Sequence, residues 1–317
     1  MPAHASSHPA LRGPALAHSA PAFAVPAKAC DCHVHVFGDP SRFPFDEARR
    51  YTPEMATTGQ LRRHLELLRL DRVVLVQPSP YATDNACMLD AMAALGERAR
   101  GIAVLPPAAD EARLAALHGG GVRGVRYNLC SSDYGDTTHV RALLRSEARR
   151  LGRLGWHIQL YQTLDLIPAL YEDLRNLPVP VVLDHFGGGL HAEGESDARL
   201  QQLLELVASG RVYVKLSAPY LGPDPGPTDP GAADGGPAIS FGRLVRLFLR
   251  AGPERVLWGS NWPHPKPPAG RPRSRDGVEP LHQTDDGAAL NRMASLAASE
   301  GVLDKLLVDN PERLYWN

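Results

Sequence analysis

His33 and His35 stand two residues apart in CDCHVHVFG, residues 30–38, behind an apolar approach and ahead of a glycine. In an extended strand, residues i and i+2 share a face, so both imidazoles would look the same way. Such a pair can polarise a carbonyl, move a proton or ligate a metal ion. Similar chemistry recurs on the carboxyl side of later apolar runs. Arg126 and Asn128 end one, Gln159 and Tyr161 the next, then Asp184 and His185, Lys215 and Ser217, and finally Asn261 followed by His264. A lone histidine in such a place is usually a hydrogen-bonded structural residue. Six of the eight apolar runs ending in this way point instead to one shared cavity.

The elements that must position these groups follow a regular rhythm. Strand candidates are KACDCHVHV, RVVLVQPS (72–79), GIAVLPP (101–107) and GVRGVRYNL (121–129). They continue with WHIQLYQ (156–162), VPVVLDHFG (179–187), RVYVKLSAP (211–219) and RVLWGSNWP (255–263). Helical stretches lie between them, such as TTGQLRRHLELLRL (57–70), where Leu61, Leu65 and Leu68 recur at helical spacing. In TDNACMLDAMAALG (83–96), Asp84 or Thr83 can cap the start and Gly96 the end. Eight strand–helix repeats predict an α/β fold, a (β/α)8 TIM barrel in a single domain over residues 29–317. A doubly wound open sheet is the alternative, weakened because no glycine-rich phosphate loop follows the first strand. Two Gly/Pro-rich insertions, 219–237 and 264–280, fall on the side where barrel enzymes build their sites.

The 317 residues are 44% hydrophobic and 22% charged, with a net charge of −1. That suits a large buried core and a small-molecule substrate, with neither nucleic acid nor a membrane as partner; a homo-oligomer is left open. No apolar run approaches the roughly 20 residues that span a bilayer. Cys30, Cys32, Cys87 and Cys130 lack framework spacing, and a cytoplasmic protein without disulfides is expected. Residues 1–28 are rich in Ala, Pro, Ser and His and lack the charged start and apolar core of an export signal. They are expected to form a flexible N-terminal arm, with His4, His8 and His18 in solvent.

Several stretches resemble the amidohydrolase superfamily, and within it the branch of 2-pyrone-4,6-dicarboxylate lactonase. They are DCHVHVFGDPSRFPF (31–45), RRYTP (49–53), DRVVLVQPSPYATDN (71–85), GVRGVRYNL, VVLDHFG, VLWGSNWPHP (256–265) and LVDNPERLYW (307–316). The resemblance implies hydrolysis of a small lactone or related carbonyl compound, chemistry of the EC 3.1.1 type. It implies His33, His35, His185 and position 261 as catalytic residues, the histidines polarising the carbonyl. Tyr51, Ser79, Arg126 and Tyr161 would bind the substrate, Arg126 through a carboxylate. Many members hold a divalent metal such as zinc, here on His33, His35 and His185.

The chain departs from that pattern in three ways. Asn261 replaces an acid, and an amide has no useful basicity, so the base would be His185, His33, His35 or His264. Fewer arginines line the expected positions, which implies fewer substrate carboxylates. The missing acid and the missing carbamylated lysine make no cofactor the first expectation, with a divalent metal as the alternative. The reading is a lactone hydrolase. A sugar-acid lactone isomerase using a substrate hydroxyl is the alternative, as is a catalytically silent ligand-binding barrel. His157 begins its strand and is expected to be structural, Cys30 and Cys32 to pack, and Asp285 and Asp286 to cap the last large helix.

Overall fold

The computed structural model describes residues 13–15, 17–106, 109–130, 136–222, 239–266 and 273–317. Among these, eight parallel strands pair in chain order in one sheet. They are β1 Cys30–Val34, β2 Arg72–Val76, β3 Ala99–Ala103, β4 Val122–Asn128, β5 His157–Tyr161, β6 Val181–Leu183, β7 Val212–Ser217 and β8 Val256–Gly259. A helix follows each: α1 Thr58–Leu68, α2 Ala86–Leu95, α3 Glu111–Gly119, α4 Thr137–Gly152, α5 Leu166–Asn176, α6 Ala198–Ala208, α7 Phe241–Ala251 and α8 Asp286–Ser299. The ring closes just beyond β8. The Asn261 amide donates to the His33 carbonyl at 2.9 Å, and the His35 amide donates to the Trp262 carbonyl at 2.8 Å. This close approach requires Gly259, where a Cβ would lie 2.7 Å from the His33 Cβ. The architecture is the expected (β/α)8 barrel.

Two apolar layers hold it together. Inside the ring, Cys30, Cys32, Val74, Val76, Ile102, Val182, Tyr213 and Leu257 pack with Tyr315 from the C-terminal segment. Outside it, Leu61, Leu65 and Leu68 of α1 join the second core with Val73, Leu75, Val125, Ile158 and Leu160. Thr57 and Gln60 form a capping box at the start of α1, where Arg62, Arg63 and Glu66 leave the buried stripe. Each fully buried leucine stabilises the fold by about 1.5–3 kcal/mol. Cys30 and Cys32 are therefore packing residues, and all four cysteines are free. No helix among the described residues is long and apolar enough to cross a membrane.

Two expectations change. The sixth strand stops at Leu183 rather than running to 187, because His185, Phe186, Gly187 and Gly188 take φ values of 51°, 58°, 59° and 81° and curl the chain over the barrel mouth. His18, expected in solvent, has a fully buried side chain. Its segment is tied down by Ser19, whose amide and hydroxyl donate to Asp285 at 2.8 and 2.6 Å, and by Ala22, whose amide donates to Asn291 at 2.7 Å. Gly287 makes room for that path, since a Cβ there would sit 1.7 Å from the Ser19 carbonyl oxygen. Residues 1–12 and 16 of the expected arm lie outside the described residues. So do 223–238 and 267–272, within or bordering the two insertions. A small parallel pair, Thr52–Pro53 with Val278–Glu279, links the segment after β1 to the segment after β8.

Candidate active site

The orientation of His33 and His35 depends on an irregularity in β1. Cys30 and Cys32 face the barrel interior, so strict alternation would send His33 and His35 outward. Instead the pairing register slips: Asp31 sits opposite Val73, but Val34 sits opposite Leu75. One extra residue in β1 makes a bulge that re-aims the chain. Asp31 braces it, its Oδ1 accepting from the His33 amide at 3.1 Å and the Ser260 amide at 3.0 Å. Both imidazoles then point into the mouth, their rings 5.0 Å apart, with the His185 ring 4.8 Å from His33.

Asp184 is the hub beneath them. Its Oδ2 accepts from Arg126 Nε at 3.0 Å. Its Oδ1 accepts from Gln159 Nε2 at 2.8 Å and lies 3.2 Å from His33 Nδ1. Lys215 donates to Gln159 Oε1 at 2.7 Å, with Nζ 4.0 Å from Asp184. Strand register sets this layer: Arg126 lies beside Gln159 across β4 and β5, and Gln159 beside Val182 across β5 and β6. Burial opposes ionisation of Asp184, but contact with His33, Arg126 and Lys215 outweighs it and holds the carboxyl well below its usual range. Burial brings Lys215 down to about 8, against the pull of Asp184, so it remains a cation at neutral pH.

Burial also keeps the imidazoles neutral. His33 is held well below its usual range despite Asp184, His35 is pushed down to about 3 and His185 to about 4. Their partners assign the ring protons. His35 Nδ1 lies 2.7 Å from the Val76 carbonyl, which can only accept, so Nδ1 carries the proton and Nε2 a lone pair. His33 Nδ1 lies 3.2 Å from Asp184 Oδ1, close enough for the carboxylate to favour a proton there but without the well-aligned bond that His35 makes, and among the described residues its buried Nε2 has no partner. In these tautomers neutral His33 and His35 offer Nε2 lone pairs, which accept but do not donate. His185 Nδ1 lies 2.9 Å from Ser217 Oγ. It can accept from that hydroxyl and keep Nε2–H as a donor.

His35, whose Nδ1–H is given to the Val76 carbonyl, has the pattern of a metal-ligating imidazole. One donor atom each from His33, Asp184 and His185 can come within 4.8 Å of one another. That group can offer donors to a divalent ion; His35 is not part of it.

Of the expected binding residues, Tyr161 and Arg126 lie beside this centre. Tyr51 is buried and hydrogen-bonded to Ser79. The Tyr161 ring lies 5.0 Å from His185, with the Arg126 guanidinium 5.5 Å above it. Arg126 spends its Nε on Asp184, so a substrate carboxylate must use the rest of the guanidinium. Asn261 Nδ2 donates to Tyr220 Oη at 2.7 Å, leaving buried Oδ1 without a partner among the described residues. Asn261 takes φ of 65°, a left-handed conformation that asparagine tolerates better than most residues.

Sequence reasoning missed Asp184, Gln159 and Lys215 as a unit. Their positions at strand ends were visible, but their mutual pairing was not. It missed Tyr220 and Arg273 altogether, because both lie on irregular loops. Arg273 stacks on Tyr51, its guanidinium 3.9 Å from the ring centre.

Fold and mouth together define a barrel of the hydrolase type, its polar centre built at the carboxyl ends of the strands. The chain belongs to the amidohydrolase family, whose model matches residues 30–316. It is 35% identical to a 2-pyrone-4,6-dicarboxylate hydrolase of Comamonas testosteroni, over 94% of this chain and 93% of that protein. It is 30% identical to a 4-sulfomuconolactone hydrolase of Rhizobium radiobacter, over 99% of both. A Pseudomonas putida crystal structure, provisionally named a 2-pyrone-4,6-dicarboxylic acid hydrolase, superposes with a TM-score of 0.68 at 29% identity, covering 91% of this chain and 97% of that one.

Proposed function

We propose that this chain hydrolyses a small lactone carrying at least one carboxylate. The observation that carries the reading is the meeting of His33, His35 and His185 at one end of a closed ring of strands, beside the unpartnered Asn261 Oδ1. Kinship with two lactone hydrolases along nearly the whole chain supports the same chemistry.

Each group has a role that its surroundings allow. Arg126 binds the substrate carboxylate, while Tyr51, Ser79 and Tyr161 supply neutral hydrogen bonds around it. His185 Nε2–H donates to the carbonyl oxygen as it gains charge. Asn261 Oδ1 accepts a hydrogen from the attacking oxygen and orients it. Asp184 keeps His33 in the tautomer that leaves Nε2 open. In the other tautomer, with Nδ1–H given to Ser217 Oγ, His185 would join His33 and His35 in holding a divalent ion such as zinc, which would supply Lewis-acid polarisation of the carbonyl in place of the Nε2–H donor. The four free thiols support a cytoplasmic setting.

The decisive experiment incubates the protein with 2-pyrone-4,6-dicarboxylate, a muconolactone and a sugar-acid lactone in ¹⁸O-labelled water, followed by proton NMR and mass spectrometry. Ring opening with one solvent oxygen incorporated is expected. The amide at Asn261 favours one second reading, isomerisation by a substrate hydroxyl. It predicts a changed ring with no solvent oxygen. Tight binding without turnover would mean a silent barrel. Lactonase activity gained by Asn261→Asp from an inactive native chain would also sink the hydrolytic reading. Calorimetric zinc titration of chelator-treated protein should show a single site in the native chain that His33→Gln loses.

A further inference from the structure

Asn261 cannot take a proton, yet its amide ends a chain of hydrogen bonds that can. Asn261 Nδ2 donates to Tyr220 Oη at 2.7 Å. Tyr220 Oη lies 3.2 Å from His264 Nδ1, and His264 Nε2 lies 2.9 Å from Asp286 Oδ2. Asp286 as a carboxylate only accepts, so His264 carries its proton on Nε2 and offers a lone pair at Nδ1. Tyr220 must then donate to His264, which leaves one phenol lone pair beyond the bond from Asn261. The four residues come from three places: the turn after β7, the segment after β8 and the start of α8.

We propose that Tyr220, backed by His264 and Asp286, receives the proton that an acid at position 261 would otherwise take; this rests on the lactone-hydrolase reading. Water positioned by Asn261 Oδ1 gives a proton to Tyr220 Oη as the phenol proton moves to His264 Nδ1. The water oxygen bonds to the lactone carbonyl carbon. When the tetrahedral intermediate collapses, the ring C–O bond breaks. The departing oxygen recovers a proton from His264 through Tyr220, leaving the open hydroxy acid. Tyr220 touches the reacting water, while His264 and Asp286 act through it as positioning residues.

The surroundings suit this task. Asn261, Tyr220, His264 and Asp286 are all buried. Burial keeps the phenol proton on Tyr220, against the bond from Asn261 and with reinforcement from Asp286 and Tyr161. Burial works against Asp286 as an anion, but His264, His64 and His18 outweigh it, so the carboxyl stays below its ordinary range. His64 comes from α1 and His18 from the N-terminal segment. Among the described residues, Lys266 and His282, from the stretch between β8 and α8, are further titratable groups near His264.

The test uses the full chain and whichever lactone of the panel it opens. Tyr220→Phe and His264→Gln should each lower kcat by about 10²–10⁴-fold, with KM changed by less than roughly threefold. In His264→Gln, the limb of the kcat–pH profile that reports the base should disappear, and adding Asn261→Asp should restore at least about tenfold. Tyr220→Phe removes one oxygen from a buried ring and is the variant to rely on if His264→Gln misfolds. A native proton inventory in H₂O/D₂O mixtures should be curved, as two protons move together. Variants with near-native kcat and an unchanged limb, or losses that follow melting temperature without rescue, would overturn the relay alone. Failure of the native chain to open any lactone would overturn the hydrolase reading first.

Discussion

Among the described residues, histidine and aspartate gather twice, at the mouth and behind its wall, and the two clusters differ in what their nitrogens have left to give. His33, Asp184 and His185 form one group, and His18, His64 and Asp286 the other; in each, the donor atoms come within 4.8 Å of one another. Behind the wall every ring nitrogen is spoken for. The Asp286 amide can only donate, and it lies 3.2 Å from His18 Nδ1. His18 therefore carries its proton on Nε2, 3.3 Å from His64 Nδ1. His64 in turn carries its proton on Nε2, 3.4 Å from Asp31 Oδ2. A metal on His18 Nε2 would require a proton on Nδ1, which the amide forbids. At the mouth, among the described residues, His33 Nε2 has no partner and no hydrogen bond engages His35 Nε2, whose ring is tied through Nδ1. Residue type and distance match in both places, but only the uncommitted lone pairs mark a ligand site.

The largest effect should come from Asp184→Asn. It would leave Arg126 and Lys215 buried without their shared carboxylate, at a cost of about 3–5 kcal/mol in a urea titration. Hydrolysis should also be lost. His185→Ala should lower kcat/KM by about 10²–10³-fold with little change in the urea midpoint. Equal losses of activity and stability would erase the contrast between mouth and wall.

Acid should separate folded from unfolded chains through the neutral imidazoles. Unfolded histidines titrate near 6.5, whereas burial pushes His157 and His35 down to about 3 and His185 to about 4. As the pH falls below about 6.5 the unfolded chain binds more protons, so stability declines toward pH 4, by up to about 1.4 kcal/mol per pH unit for each such group. Asp184, depressed by its partners, adds a further loss only below about pH 4. His157→Phe should flatten the upper part of the decline, measured by melting temperature against pH.

The smallest effect belongs to the wall. Gly287→Ala would drive a methyl into the Ser19 carbonyl and lift the segment carrying His18. A loss of about 1–3 kcal/mol is expected, with faster proteolysis in residues 17–28. A metal-dependent rise in stability that Gly287→Ala abolished would mean the wall is a ligand site after all.

Much of the fold was legible in particular residues. Leu61, Leu65 and Leu68 announced a helix face, and Asp285 does cap α8, accepting from the Ala288 amide at 3.0 Å. The apolar run before Asp184 announced β6, but not its early end, because four successive left-handed residues are a property of the turn they build. Position 261 could be read as an amide where an acid was expected. Tyr220 carried no signal, since it lies after β7 in a loop without a period.

What sequence alone determined is the strand–helix repeat of the barrel and the chemical types at the strand ends, because periodicity and composition are local. Tertiary structure decided which lone pairs stay open. The bulge that turns His33 and His35 inward, the carbonyl of Val76 that takes the His35 proton, and the meeting of His18, His64 and Asp286 all depend on partners dozens to hundreds of residues away. A hydrogen bond assigns a proton only when both of its ends are in place.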